Sequence, residues 1–368
     1  MSNYTENDYC NAYSWAELST NETYPEYLKT ETKKAIEKLN SYQGENVFNI
    51  AFMTDIHYTM KDSNRIRMKR ILNMYKEIAE NIKIDRLVLG GDHICDGSKD
   101  YKTDAFMDLK KQFGDIKFYP INGNHDDGTV WDLTFDNDVS VHQLMPEERY
   151  ALFYSDANTV NKNLYYYLDN PENKTRHIFL DSNDIDYIFD NGKLRYNGQY
   201  LFIFSQNQID WLLNEALKFN ENGWSIIIYL HGLPFESDEQ SMKSSLWENI
   251  KVLYDILGAY KKGEDVNYTF GEGDHQRFIS AEFSKYTKAE IIACISGDLH
   301  MDNEGQSNLG FACIVERNAF PFYYDPPEVE RGDGDKTEVA FAIITVDKNT
   351  RKIYVTRLGK GEDAVLTY

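Results

Sequence analysis

Four cysteines in 368 residues, at positions 10, 95, 294 and 313, form no C-x-x-C pair, so neither a zinc ribbon nor a disulfide framework is expected. No apolar run approaches the ~20 residues that a membrane-spanning helix needs, and no membrane partner is expected. The stretch from Met1 to Asn21 is polar and acidic, with no basic start and no apolar core, which is not the pattern of a secretory signal. Together these absences point to a cytoplasmic enzyme with reduced thiols. Positive charge is also scarce. Lys and Arg number 39 against 60 Asp and Glu, a formal net charge of -21. That balance excludes a partner such as long nucleic acid, which is gripped through Lys and Arg contacts to phosphates. It leaves room for a small phosphorylated substrate, because a few metal ions reverse the sign of the field locally.

What is present is the composition of a folded body: 42% hydrophobic and 14% aromatic residues, with 27 tyrosines. The length suits one large α/β domain or two ordinary ones. Residues 1–44 read as a polar leader in which Pro25 precedes a Lys/Glu-rich helix, Glu26 to Leu39, and Gly44 is the stop. From residue 45 to 368 a single domain is expected. Short apolar strands are predicted at Val47 to Met53, Arg86 to Leu89, Ile116 to Ile121, His177 to Leu180, Trp224 to Leu230 and Glu290 to Ile295. Several are continuous apolar runs, as for strands covered on both faces. Between them lie amphipathic helices. In 64–83, Ile71, Met74, Tyr75, Ile78 and Ile82 share one face, and Ser205 with Gln208 forms a capping-box signature ahead of an Ile209–Leu217 stripe. A further helix is predicted between Ser244 and Tyr260. The tail turns β-rich, at Phe311 to Val315, Val339 to Val346 and Lys352 to Arg357, with a hairpin turn over Asp347 to Thr350. The fold class expected is therefore α/β, with two facing sheets and helices outside.

Five turns, each just past a predicted strand's carboxyl end, carry the chemistry: Asp55-Ile56-His57, Gly91-Asp92-His93, Gly123-Asn124-His125-Asp126, His231-Gly232 and Gly297-Asp298-Leu299-His300. That edge is where open α/β sheets bind ligands. Asp and His two residues apart can offer an oxygen and an imidazole nitrogen to one cation. Mixed O/N donors suit Zn, Fe or Mn better than Mg or Ca. A catalytic site keeps a position open for water and so needs few protein donors. Seven or eight candidates exceed what one ion uses, and a pair ~3.5–4 Å apart bridged by a carboxylate would employ them. Cys95 is read as a small buried hydrophobe, with a thiolate ligand as the alternative. His93, beside Asp92, is a candidate for reaching substrate, whereas His142, His177 and His275 are read as structural or surface residues.

The ordered set D-x-H, G-D-x-x, G-N-H-D, a lone His after an apolar strand, and a final G-x-x-H resembles the calcineurin-like metallophosphoesterases, from about Asn49 to His300. The resemblance is nearest to their cyclic-nucleotide phosphodiesterase-like and purple acid phosphatase-like branches. It implies a sandwich of two mixed β-sheets flanked by helices, and two divalent or trivalent transition-metal ions (Mn, Fe or Zn). It also implies hydrolysis of a small-molecule phosphate ester by a hydroxide held between the metals. Carried over residue by residue, Asp55, His57 and His300 hold one metal, Asn124 and His231 the second, and Asp92 bridges them. His125 is then the proton donor, and Asp126 the acid that orients it. One departure stands out: the family's last motif begins G-H, whereas Gly297 is followed here by Asp298. A carboxylate there makes the second site harder and more negative, favouring Mn or Mg over Zn, unless Asp298 lies outside the coordination shell. Phosphodiesters are the favoured substrates, a phosphomonoesterase with the same site is the alternative, and a non-catalytic module that keeps the fold is the reading from another class.

Overall fold

The apolar runs Val47–Met53 and Arg86–Leu89 are strands with the bounds expected of them. The computed structural model describes residue 18 and residues 20–128, 143–158, 161–191, 193–232, 250–321 and 331–368. Residues 129–142, 233–249 and 322–330 lie outside the described residues, and with them Cys10, His142 and positions 244–249 of the helix predicted between Ser244 and Tyr260. Two six-stranded sheets carry the architecture. The first runs from edge to edge as Ala364–Thr367, Lys352–Gly359, Ala340–Asp347, Val47–Met53, Arg86–Leu89 and Tyr119–Pro120. The second runs as Asn303–Gln306, Ala312–Val315, Glu290–Ser296, Ser225–Tyr229, Thr175–Phe179 and Tyr166–Asn170. Both are mixed: in the first, three parallel strands from Val47–Met53 out to the edge strand Tyr119–Pro120 join three antiparallel ones, and in the second four parallel central strands are flanked by an antiparallel strand at each edge.

Alternation along the central strands sorts the core into two layers. In Ser225–Tyr229, Ile227 and Tyr229 face the first sheet, whereas Ile226 and Ile228 face helices Gln206–Trp211 and Ile250–Lys262 on the other side. Tyr229 stacks on Phe179 with ring centroids 4.9 Å apart, and Phe179 stacks on Tyr166 at 4.4 Å. The outer face of the first sheet is covered by helices Glu26–Asn40, Asp62–Asn81 and Lys99–Phe113. Leu28 and Leu39 of the first helix are fully buried in that same core.

Several outcomes differ from the sequence expectations, among them an unpredicted hairpin, Val266–Phe270 with Arg277–Ala281. The run 116–121 yields only Tyr119–Pro120 as strand, because Pro120 cannot donate to a ladder and is tolerated at the sheet edge where it sits. Lys99–Phe113 is an unpredicted helix. Its apolar stripe of Ala105, Phe106, Leu109 and Phe113 is narrow and embedded in charged residues. The Ser98 hydroxyl accepts from Tyr101 N at its start, and Gly114 (φ 58°) stops it. The strands Tyr166–Asn170, Asn303–Gln306 and Ala364–Thr367 are also unpredicted. All three are edge strands of four or five residues in which only Tyr166 is buried, and their pairing is supplied by the neighbour alone.

Candidate metal centre

Parallel pairing aligns the carboxyl ends of Val47–Met53 and Arg86–Leu89 in one sheet, and of Ser225–Tyr229 and Glu290–Ser296 in the other. The turns that follow therefore converge at one end of the sandwich. Backbone hydrogen bonds knit them together: Asp55 N donates to Gly91 O (3.0 Å), His57 N to Asp92 O (2.9 Å) and Gly297 N to His231 O (2.9 Å). Asp298 N crosses between sheets to Asp55 Oδ2 at 3.0 Å.

The turns are tight. Asp55 (φ 50°), His57 (42°), Asp92 (48°), Asp298 (69°) and His300 (54°) all lie in the left-handed region, where a side chain is sterically disfavoured and which functional sites retain at a cost. Asp55-Ile56-His57 and Asp298-Leu299-His300 thus share one unusual conformation, contributed by opposite sheets. Gly123 serves close approach, since a Cβ there would fall on the backbone nitrogen and Oδ1 of Asp92.

Seven of the residues selected from sequence come together in this pocket. His300 Nε2 lies 3.1 Å from His57 Nε2 and 3.3 Å from Asp55 Oδ1. Asp92 Oδ2 stands between the two halves, 3.6 Å from His57 Nε2 and 3.4 Å from His231 Nε2. His231 Nε2 also faces Asn124 Oδ1 at 3.0 Å and Asp298 Oδ1 at 3.6 Å. Its Nδ1 donates to Gly90 O at 2.8 Å, which turns Nε2 inward. Two groups have donor atoms close enough to share an ion: Asp55, His57 and His300, and Asp55, Asp92 and His231.

The electrostatics fit cations. Asp55 Oδ1 is buried and makes no hydrogen bond among the described residues. Burial opposes charge on His231, yet Asp92, Asp55 and Asp298 push its pKa well above the histidine range, the mark of surplus negative charge. Burial, with His300 and His125 nearby, keeps His57 well below that range, in the neutral form that ligates. Burial raises Asp298 to about 6, with Asp55 and Asp92 adding to the shift against the opposing pull of His231.

His125 stands at the rim of this group, its Nε2 4.0 Å from Asp92 Oδ2. The acid that holds it is not the expected one. Asp96 meets His125 Nδ1 at 3.0 and 3.2 Å, whereas Asp126 accepts from Gly123 N and His93 N, both at 2.9 Å, and pairs with His93 Nδ1 at 2.7 Å. Asp126 leads away from the pocket because the turn after Gly123 points successive side chains in different directions. Burial lowers the His125 pKa, but Asp96 and then Asp92 outweigh it and bring it to about 9. Asp96 is the site residue that sequence reasoning missed. The signal available was a second aspartate four positions past Asp92, in Asp92-His93-Ile94-Cys95-Asp96.

His93 is fully buried against Phe153 and Asp126. The Cys95 thiol donates to the His57 carbonyl at 3.0 Å. His177 is buried, with Nδ1 2.8 Å from the Tyr229 hydroxyl, and His275 packs against Tyr196.

The fold is that of a solved dinuclear enzyme. A dimetal phosphatase from Danio rerio superposes with a TM-score of 0.52 at 14% identity, over 87% of this chain and 99% of that one. Purple acid phosphatase PPD1 from yellow lupin (Lupinus luteus) gives 0.44 at 11% identity, over 87% of this chain and 54% of that one. The 5'-nucleotidase precursor from Thermus thermophilus gives 0.37 at 10% identity, over 87% and 54%. No curated protein sequence matches the chain. The signature of one family, however, runs through residues 48–302, from the first strand to just past His300. On that match the chain belongs to the calcineurin-like phosphoesterases, metal-dependent hydrolases of phosphate esters.

Proposed function

We propose that this enzyme hydrolyses small phosphodiesters, with one transition-metal ion held by Asp55, His57 and His300, a second by Asn124, His231 and Asp298, and Asp92 between them. The observation that carries the reading is the place of Asp92 Oδ2, 3.6 Å from His57 of one donor set and 3.4 Å from His231 of the other, with His125 beside it. When bound, two such ions supply a water of lowered pKa as nucleophile and neutralise the phosphoryl oxygens. The protein's own groups do the rest. His125, held at Nδ1 by Asp96, presents a protonated Nε2 to the leaving oxygen, a transfer typically worth about 10²–10⁴ in rate. The Gly90 carbonyl fixes the His231 tautomer, as a hydrogen-bonded partner does for a ligating imidazole. No side chain acts as nucleophile, so no phospho-enzyme forms.

Two features support a diester over a monoester. Asp298 places an extra carboxylate 3.6 Å from His231, which neutralises a dianion less fully than a neutral donor would. Leu299 and Met301, on either side of His300, are 40% exposed and offer apolar surface for a second organic group. The harder donor set at that site favours Mn or Mg over Zn there. The test compares kcat/KM of Mn-, Fe- and Zn-loaded protein for bis(p-nitrophenyl) phosphate, p-nitrophenyl phosphate, cyclic nucleotides and glycerophosphodiesters. A monoester preferred over every diester by tenfold, ~1.4 kcal/mol in transition-state binding, would replace the diesterase reading with a phosphomonoesterase.

A further inference from the structure

Lys102 is wholly buried on the helix Lys99–Phe113, among Ala105, Phe106 and Leu109. Its ammonium donates to the His125 carbonyl at 2.5 Å and to the Cys95 carbonyl at 3.3 Å, and lies 3.9 Å from Asp96 Oδ1. These acceptors belong to two separate turns: Cys95 and Asp96 end the segment that begins at Asp92, and His125 follows Asn124. Asp96 itself holds the His125 imidazole, and the Cys95 thiol reaches the His57 carbonyl. One buried cation thus sits at the knot that joins three of the five site turns.

Burying an ammonium costs several kcal/mol before its partners compensate. An apolar residue would complete the helix's inner stripe without that cost. The placement makes sense if the charge is spent on geometry. We propose that Lys102 is a positioning residue: it locks the His125 turn to the Asp92–Asp96 turn, so that Asp96 presents the imidazole to the leaving oxygen. It touches no substrate and acts through His125. The inference rests on the phosphoesterase reading above.

The test is a double-mutant cycle on the full-length, metal-loaded enzyme, using Lys102→Met, His125→Ala and the double variant. The readouts are kcat for aryl phosphodiesters with good and poor leaving groups, KM, and metal content. Misplacement by about 1 Å can cost on the order of 10²-fold, so Lys102→Met is expected to lower kcat ~10- to 100-fold for poor leaving groups and much less for good ones. KM and metal content should be unchanged. In the His125→Ala background the same change should cost under about twofold, because residues acting as a unit are non-additive. An equal loss in both backgrounds, or loss of metal, would overturn the proposal. Should Lys102→Met not fold, Lys102→Gln, which keeps N–H donors for the two carbonyls, runs the same cycle. Failure of that variant to fold as well would assign Lys102 to stability alone and overturn the proposal. An active wild type with an additive cycle strikes only Lys102; a metal-loaded wild type that hydrolyses none of the esters strikes the phosphoesterase reading too.

Discussion

Replacing Asp96 by Asn separates two acids that sequence alone assigns differently. Asp96 meets His125 Nδ1 through both oxygens, at 3.0 and 3.2 Å, and Asn keeps the shape while removing the charge. A hydrogen bond between charged groups is worth ~1.5–3 kcal/mol, and each ~1.4 kcal/mol is tenfold in rate. The expected loss in kcat/KM is therefore about 10- to 100-fold for esters with poor leaving groups, and small for an activated aryl ester. A pH effect accompanies it. His125 must be protonated to act as an acid, and with Asp96 present its pKa is about 9 against the opposing effect of burial. Without Asp96, burial pulls the value down, so activity should begin to fall at lower pH than in the wild type. The assay is a pH–rate profile of both proteins with a matched series of leaving groups, alongside metal analysis. Asp126→Asn is the control. It removes the charge opposite the buried His93 and turns one of the two oxygens that accept from backbone N–H groups into an amide NH2, and should lower the unfolding midpoint while leaving the leaving-group dependence unchanged. An Asp96→Asn enzyme with wild-type kinetics, next to an Asp126→Asn enzyme whose rate falls selectively for poor leaving groups, would refute the assignment.

The paired donor groups predict close to two transition-metal ions per chain by elemental analysis and a higher melting temperature on loading, which chelation should reverse. Asp92→Ala should weaken both sites at once, and two tightly held ions in that variant would remove its bridging role. Asp298→His should keep activity and shift metal preference towards Zn; an unchanged profile together with an inert Asp298→Ala would place Asp298 outside the shell. His177 is fully buried, and burial lowers its pKa to about 3. Its depressed value means that the unfolded chain takes up the proton first, near pH 6.5, so stability is full above that pH and is lost on acidification towards 3. Linkage puts the loss from this group at about 2 kcal/mol between pH 7 and pH 5. Urea unfolding of His177→Phe, whose ring can stack on Tyr229 as the imidazole does, should show a pH dependence shallower by that amount. Parallel pH dependences would show that His177 is not the group responsible.

Much of this protein is legible one residue at a time. Continuous apolar runs placed the central strands to within a few residues, because strands covered on both faces need no partner to reveal them. The order of five Asp-, His- and Asn-bearing turns named seven residues that the fold brings into one pocket, because each turn follows a strand directly and parallel pairing puts those ends together. Edge strands and the helix Lys99–Phe113 were not legible, since their pairing and packing are decided by neighbours rather than by their own pattern. The pairing of His125 belongs to the same class. Asp126 is adjacent in sequence and Asp96 is 29 positions away, yet of these two it is Asp96 that meets the ring, because the packing of two turns against Lys102 determines which carboxylate lies opposite Nδ1. The place of Asp298 is also a tertiary fact. Sequence marks it as a departure from the family pattern, but its distance to His231 depends on how the turn after Glu290–Ser296 folds back onto Asp55 of the first sheet. Periodicity and motif order are local properties, carried by the chain wherever it folds. Which oxygen meets which nitrogen is determined by the register between two sheets, and that exists only once the sandwich has closed.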